Sequence, residues 1–280
     1  MIQILNDKNI MNKINRNQFQ SFPYHLVEPS PWPILVSFSL LSLTLGAVMY
    51  MQGFNHGGQL ISLGFTLTVF GMILWFRDII TESTYLGHHT IQVQKGLTIG
   101  VVLFIISEVF AFLSVFWAFF HSSLSPTIEI GGIWPPQGIT PLDPFAIPLL
   151  NTILLLSSGA FVTYGHHALI QGDRRGAILG TLLTIIFAII FTALQYYEYS
   201  ESSFTMSDSV YGTVFYASTG LHGLHVIIGT LFILVGFIRI INYHLTDTHH
   251  QGHEAAILYW HFVDVVWLIL FIAVYYWGGN

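Results

Sequence analysis

The stretch LTIGVVLFIISEVFAFLSVFWAF, residues 97–119, decides the fold. A bilayer's hydrocarbon core, about 30 Å thick, is crossed by roughly 20 apolar residues in a helix. This stretch is long enough and carries one ionisable side chain, Glu108. The rest of the chain has the same character. Of 280 residues, 53% are hydrophobic and 8% charged, against about 25% charged in ordinary soluble domains. A water-soluble protein so poor in charge would expose large apolar patches and aggregate. Lipid is therefore part of its solvent.

Six further stretches qualify, so the spans are about 34–52, 60–76, 97–119, 146–165, 177–197, 210–239 and 255–277. The expected fold class is all-α: a polytopic membrane protein of seven transmembrane helices. Residues 1–20 read as a variable tail and 21–280 as a single membrane domain. Pro31 and Pro33 bracket Trp32 ahead of the first span, where proline suits a helix start. Pro135, Pro136, Pro141, Pro144 and Pro148 mark the third connection as irregular. The first 20 residues lack the apolar core and small-residue site of a cleavable signal. Their Asn, Ile and Lys bias points to an AT-rich coding sequence.

The basic residues give an independent count of the spans. With seven spans and alternating sides, Lys8, Lys13, Arg16, Arg77, Lys95, Arg174, Arg175 and Arg239 all fall on the amino-terminal side. Loops 120–145 and 198–209 and the carboxyl tail hold no Lys or Arg. Positive charge stays on the side from which insertion begins, and six or eight spans would scatter it. The net charge of −6 argues against nucleic-acid binding. The absence of cysteine excludes disulfides, thiolate metal sites and cysteine nucleophiles.

Polar residues inside the spans are the candidates for function. A charged Glu108 at mid-membrane costs about 2.5–3.5 kcal/mol on insertion scales, so it is either neutral or paired. It reads as a proton-relay member or as one end of a packing hydrogen bond. His261 and Asp264, three apart in the last span, form a structural polar pair. His222 and His225, also three apart, share a face of the sixth span. Arg77 and Arg239 end spans at headgroup depth on the basic side, where they snorkel or hold anionic lipid. The cluster His244, His249, His250 and His253 resembles one histidine box of the membrane di-iron oxygenases. Such an enzyme needs two further boxes, and the pairs His88–His89 and His166–His167 lack the upstream histidine. No metal site and no catalytic residue are therefore expected. A transporter would need a continuous polar path, whereas these polar positions are isolated.

Longer words in the sequence carry a resemblance. PYHLVEPSPWPI (23–34), WFRDII (75–80), STYLGHHT (83–90), ISEVFAF (106–112), FWAFFHSSLSP (116–126), SDSVYGTVFYASTGLHGLHVIIG (207–229) and YWHFVDVVWLILF (259–271) resemble mitochondrially encoded cytochrome c oxidase subunit III, in the family's order. The resemblance implies seven helices in two bundles, 1–2 and 3–7, around a V-shaped cleft filled with phospholipid. It implies a multi-pass protein of the mitochondrial inner membrane, amino terminus in the matrix and carboxyl terminus in the intermembrane space. Its partners would be subunits I and II, small accessory subunits and respiratory supercomplex neighbours, with haem and copper held by the partner subunits and no cofactor in this chain. The implied role is non-redox: to sustain proton uptake by subunit I and its stability during oxygen reduction and proton pumping. Glu108 matches the family's buried carboxyl; Arg77, Glu82, His222, His225 and Arg239 match lipid-binding positions. Thr81 stands where animal members have a second arginine, and Phe76 where they have tryptophan. Bacterial quinol oxidases carry a similar subunit, so the electron donor rests on the mitochondrial-like motifs.

Overall fold

A computed structural model describes residues 22–279; Lys8, Lys13, Arg16 and Asn280, and the tail they belong to, lie outside the described residues. Among the described residues there are seven long helices and no strand. They are α1 (Trp32–Met51), α2 (Gly57–Thr84), α3 (Ile91–Leu124), α4 (Ile147–Ile170), α5 (Arg174–Glu201), α6 (Val210–Ile241) and α7 (Gln251–Leu270). α7 runs on as a π-helical segment, Phe271–Trp277, and all seven helices are long and apolar enough to cross a membrane. The chain is thus an all-helical, multi-pass membrane protein.

The helices overrun the apolar stretches that predict them. α2 continues through RDIITEST to Thr84, and α3 begins six residues early, at Ile91. Hydropathy marks only the residues that sit in hydrocarbon, whereas a helix ends where its backbone finds a cap or breaker. Pro33 and Pro148 occupy the first turns of α1 and α4. Asp173 caps α5 by accepting from the Arg175 and Gly176 amides at 3.1 and 3.2 Å.

The described residues form two compact units, the first ending at Leu97 and the second beginning at Thr98. In the first, α1 and α2 pair antiparallel along glycines. Gly57, Gly64 and Gly71 recur every seven residues on one face of α2 and meet Tyr50, Leu43 and Leu35 of α1 in turn. Lipid tails are as apolar as leucine, so helices in a bilayer associate by close packing and hydrogen bonds rather than by hydrophobic burial. Missing side chains let the backbones approach, and polar groups then reach across. The Thr68 hydroxyl donates to Ser39 at 3.0 Å, and the Trp32 indole donates to Asp78 at 2.5 Å.

In the second unit α4 packs on α5, α5 on α6, α6 on α7 and α7 on α4, closing a four-helix ring. α3 lies outside that ring and leans on it with aromatic side chains: Phe104 on Tyr259, and Phe112 on Phe262. Inside the ring, Trp260 and Trp267 of α7 are fully buried. Each indole has an apolar body and one donor, and each donor is met by a hydroxyl on α4. Trp260 bonds Ser158 and Trp267 bonds Thr152, both at 2.9 Å. Gly229 of α6 makes room for Trp260, whose ring would lie 2.9 Å from any β-carbon added there. Gly165 and Gly180 similarly bring α4 and α5 together, backbone against backbone.

The glycine seam of the first unit makes a direct prediction. A β-carbon at Gly64 would sit 2.5 Å from the Leu43 backbone nitrogen, which cannot swing aside. Gly64→Leu forces α1 and α2 apart and costs about 1–3 kcal/mol or more. Pulse-proteolysis or thermal unfolding in lipid nanodiscs should show the loss; unchanged stability would mean that the seam does not hold the pair.

Candidate functional site

The polar residues that stand isolated in the sequence come together in pairs. Glu108 of α3 meets His225 of α6, with Glu108 Oε2 and His225 Nε2 2.9 Å apart. The other ring nitrogen of His225 lies 2.8 Å from the Leu221 carbonyl oxygen. A carbonyl only accepts, so Nδ1 must carry a hydrogen. That fixes the count of protons in the pair. Either His225 is neutral and Glu108 is the protonated donor, or His225 is an imidazolium and Glu108 a carboxylate. Both descriptions place one proton in the 2.9 Å bond and differ only in which atom holds it. An edge-on Phe112 ring, 5.0 Å from the imidazole, and Tyr259, stacked at 6.1 Å, enclose His225. Glu108 is less enclosed than its mid-span position predicts, because its side chain is 23% exposed within this chain. The pair therefore has an inner end on α6 and an outer end on α3 at the face of the bundle.

His261 and Asp264 also pair, with Nδ1 and Oδ2 3.5 Å apart. The sequence misses the second helix. Thr163 of α4 donates to the Gly159 carbonyl at 2.8 Å, leaving its oxygen to accept from His261 Nε2 at 3.1 Å. Gly159 leaves space for Asp264, since a β-carbon there would stand 2.5 Å from Oδ2. The pair is thus a tie between α4 and α7.

His222 is enclosed by its own helices. It is 1% exposed, packed between Phe191 and Trp267, and donates from Nε2 to the Val263 carbonyl at 3.3 Å. Its spacing to His225 correctly puts both on one helix, but they point to different neighbours. His222 faces α7 and His225 faces α3.

A fourth constellation escapes the sequence reading altogether. Glu198 of α5 is 2% exposed and accepts from the Tyr275 hydroxyl at 2.7 Å and from Gln195 at 3.3 Å. Asn151 of α4 donates to Gln195 at 3.4 Å, so three helices share the network. Glu198 follows the apolar run and looks like the start of a loop. The signal that could have found it is Gln195, three residues earlier on the same helical face.

This arrangement can hold and exchange protons, and it can brace helices. The family model for cytochrome c oxidase subunit III matches residues 22–279. The chain belongs to that family. Relatives named cytochrome c oxidase subunit 3 include that of Mycosarcoma maydis, 64% identical over 95% of this chain and 99% of the relative. That of Schizophyllum commune is 60% identical over 93% of this chain and 97% of its own length. That of Podospora anserina is 58% identical over 96% and 100% respectively.

Cytochrome c oxidase subunit III is a non-catalytic subunit of the terminal oxidase, an oxidoreductase complex, and the chain acts within such a complex. The positions that the subunit III resemblance assigns to lipid have their own local geometry. Arg77 is exposed, and its guanidinium donates to the neighbouring Asp78 at 2.9 Å, the same carboxylate that holds Trp32. Thr81, one turn on, donates to the Arg77 carbonyl at 2.9 Å, so it adds no charge to this helix end. Phe76 is exposed. Glu82 lies 3.9 Å from His25, which in turn hydrogen-bonds His88 at 3.1 Å. Arg239, partly buried, sets its guanidinium against the first turn of α7, where a β-carbon on Gly252 would be 2.9 Å from Nη1. In the loop beyond α6, burial and the nearby Arg239 charge hold His249 below the usual histidine range.

Proposed function

We propose that this chain is the non-redox supporting subunit of a mitochondrial cytochrome c oxidase, and that its Glu108–His225 pair presents an exchangeable proton to the complex. The observation that carries this reading is the outward end of the pair. A carboxyl group paired inside the bundle yet still partly exposed on its face can pass a proton to a neighbour without a change of fold. The neighbour proposed is subunit I, which with subunit II would hold the haem and copper that reduce oxygen; small accessory subunits and supercomplex partners would surround them. The chain itself is assigned no redox centre.

The same reading puts the chain in the mitochondrial inner membrane with its amino terminus in the matrix. Its support is the distribution of charge over the helix ends. Arg77 at the end of α2, Lys95 at the start of α3, Arg174 and Arg175 at the start of α5 and Arg239 at the end of α6 share one side when the helices alternate. Arg77 and Arg239 would then meet phospholipid headgroups at the matrix surface, where arginine forms charge-assisted bonds to phosphate.

Two variants in reconstituted vesicles test these roles. Glu108→Gln keeps the shape and most hydrogen bonding but removes the exchangeable acid. It should assemble and retain substantial oxygen reduction, because the redox chemistry lies elsewhere, with proton pumping or its durability reduced. Normal assembly with abolished oxygen reduction would make Glu108 an essential proton carrier and defeat the supporting-subunit reading. Arg239→Ala should lower the phospholipid retained by the purified complex and shorten its activity during turnover, while initial electron transfer changes little. Unchanged lipid content and lifetime would remove Arg239 from headgroup binding.

A further inference from the structure

Three atoms that can ligate a metal converge where α4 ends and α7 begins. His166 Nε2 and His250 Nε2 are 3.3 Å apart, His250 Nε2 and Glu254 Oε1 3.1 Å, and His166 Nε2 and Glu254 Oε1 3.7 Å. His250 is oriented by its other nitrogen, which lies 2.9 Å from the Thr246 carbonyl oxygen and must donate to it. That bond fixes the tautomer, so neutral His250 turns a lone pair on Nε2 toward the other two atoms. An outer-shell carbonyl of this kind is how proteins commonly orient a metal-binding imidazole. When His166 carries its hydrogen on Nδ1, three lone-pair atoms face one another and repel unless something positive sits among them. A proton on Nε2 bridges two of the three. A divalent cation satisfies all of them.

The spacing fits such an ion. Tetrahedral zinc with ligands at 2.0–2.1 Å sets its ligand atoms about 3.3–3.4 Å apart, within the range of the three separations. A second observation points the same way. His253, one turn into α7, is fully buried, yet both of its ring nitrogens lack a hydrogen-bond partner. Its ring stands 6.5 Å from that of His166, edge to face. Buried polar atoms are rarely left unsatisfied without a reason, and this imidazole stands beside the cluster with nitrogens still to be satisfied. Glu254 is about half exposed, with a side-chain accessibility of 49%, which gives an ion a way in. Two imidazoles, one carboxylate and a nearby third imidazole suit zinc, a borderline cation, better than the all-oxygen shells of magnesium or calcium.

We propose that His166, His250 and Glu254 form a binding site for one zinc-like divalent cation, with His253 beside it, clamping the end of α4 to the start of α7. The sequence predicts no metal here because the site does not follow the histidine-box pattern. His166 is far away in the chain, and His244 and His249 contribute no ligand. The role is structural or regulatory, since no reacting group stands at the cluster.

The test uses the assembled oxidase, stripped with a chelator and titrated with zinc chloride. Bound zinc is counted by mass spectrometry, and the ligands of the added zinc are read by X-ray absorption. Wild type should bind one equivalent more than His166→Gln, in a nitrogen- and oxygen-ligated shell with imidazole scattering. Glu254→Gln should weaken that site about tenfold or more, in line with losses seen even for outer-shell partners. The half-exposed Glu254 side chain makes this variant safe for folding, and the haem spectrum of the complex checks assembly. Equal zinc stoichiometry and equal affinity in wild type and Glu254→Gln would overturn the proposal and leave a shared proton as the charge that holds the cluster.

Discussion

Lipid cannot hydrogen-bond, and that constraint organises the structure. A polar side chain facing hydrocarbon must find its partner inside the protein or lose several kcal/mol. The helices here obey it by pairing polar groups across their contacts. Trp260 finds Ser158, Trp267 finds Thr152, Glu108 finds His225, His261 finds Thr163, and Glu198 finds Tyr275. α7 supplies a member of four of these pairs. It is also the most buried of the candidate spans, at 56% of its apolar window. Each bond between membrane helices is worth about 0.6–2 kcal/mol. Their larger effect is to fix rotation and register, because a helix turned by one residue would leave several polar groups in lipid at once.

Close packing makes these bonds possible. Gly159 admits Asp264, Gly229 admits Trp260, and Gly165 and Gly180 let α4 and α5 touch. In the first unit the glycines at 57, 64 and 71 do the same for α1 and α2. The functional groups therefore rest on rigid helices rather than on loops.

Much of the fold is legible in the sequence because crossing a bilayer leaves a strong one-dimensional signal. Seven apolar runs and the one-sided placement of Arg77, Lys95, Arg174, Arg175 and Arg239 suffice for the count. Pairing is less legible, since partners lie far apart along the chain. Glu108 and His225 are each conspicuous, but nothing local to either names the other. His222 and His225 look alike in sequence, yet one is enclosed by Phe191 and Trp267 and the other meets an acid. Glu198 is hidden because hydropathy ends a span before the helix ends. The His166–His250–Glu254 cluster joins two helix ends that no motif connects.

The central claim is that polar residues in this chain act as pairs, with Glu108 and His225 as the pair that bears on function. A double-mutant cycle on the assembled oxidase tests it most directly, comparing Glu108→Gln, His225→Gln and the double variant for unfolding stability and pumped protons per electron. Paired residues should give a coupling of about 0.5–3 kcal/mol, with the double variant little worse than either single one. Effects that add, with no coupling, would show that the two side chains act independently and would contradict the account.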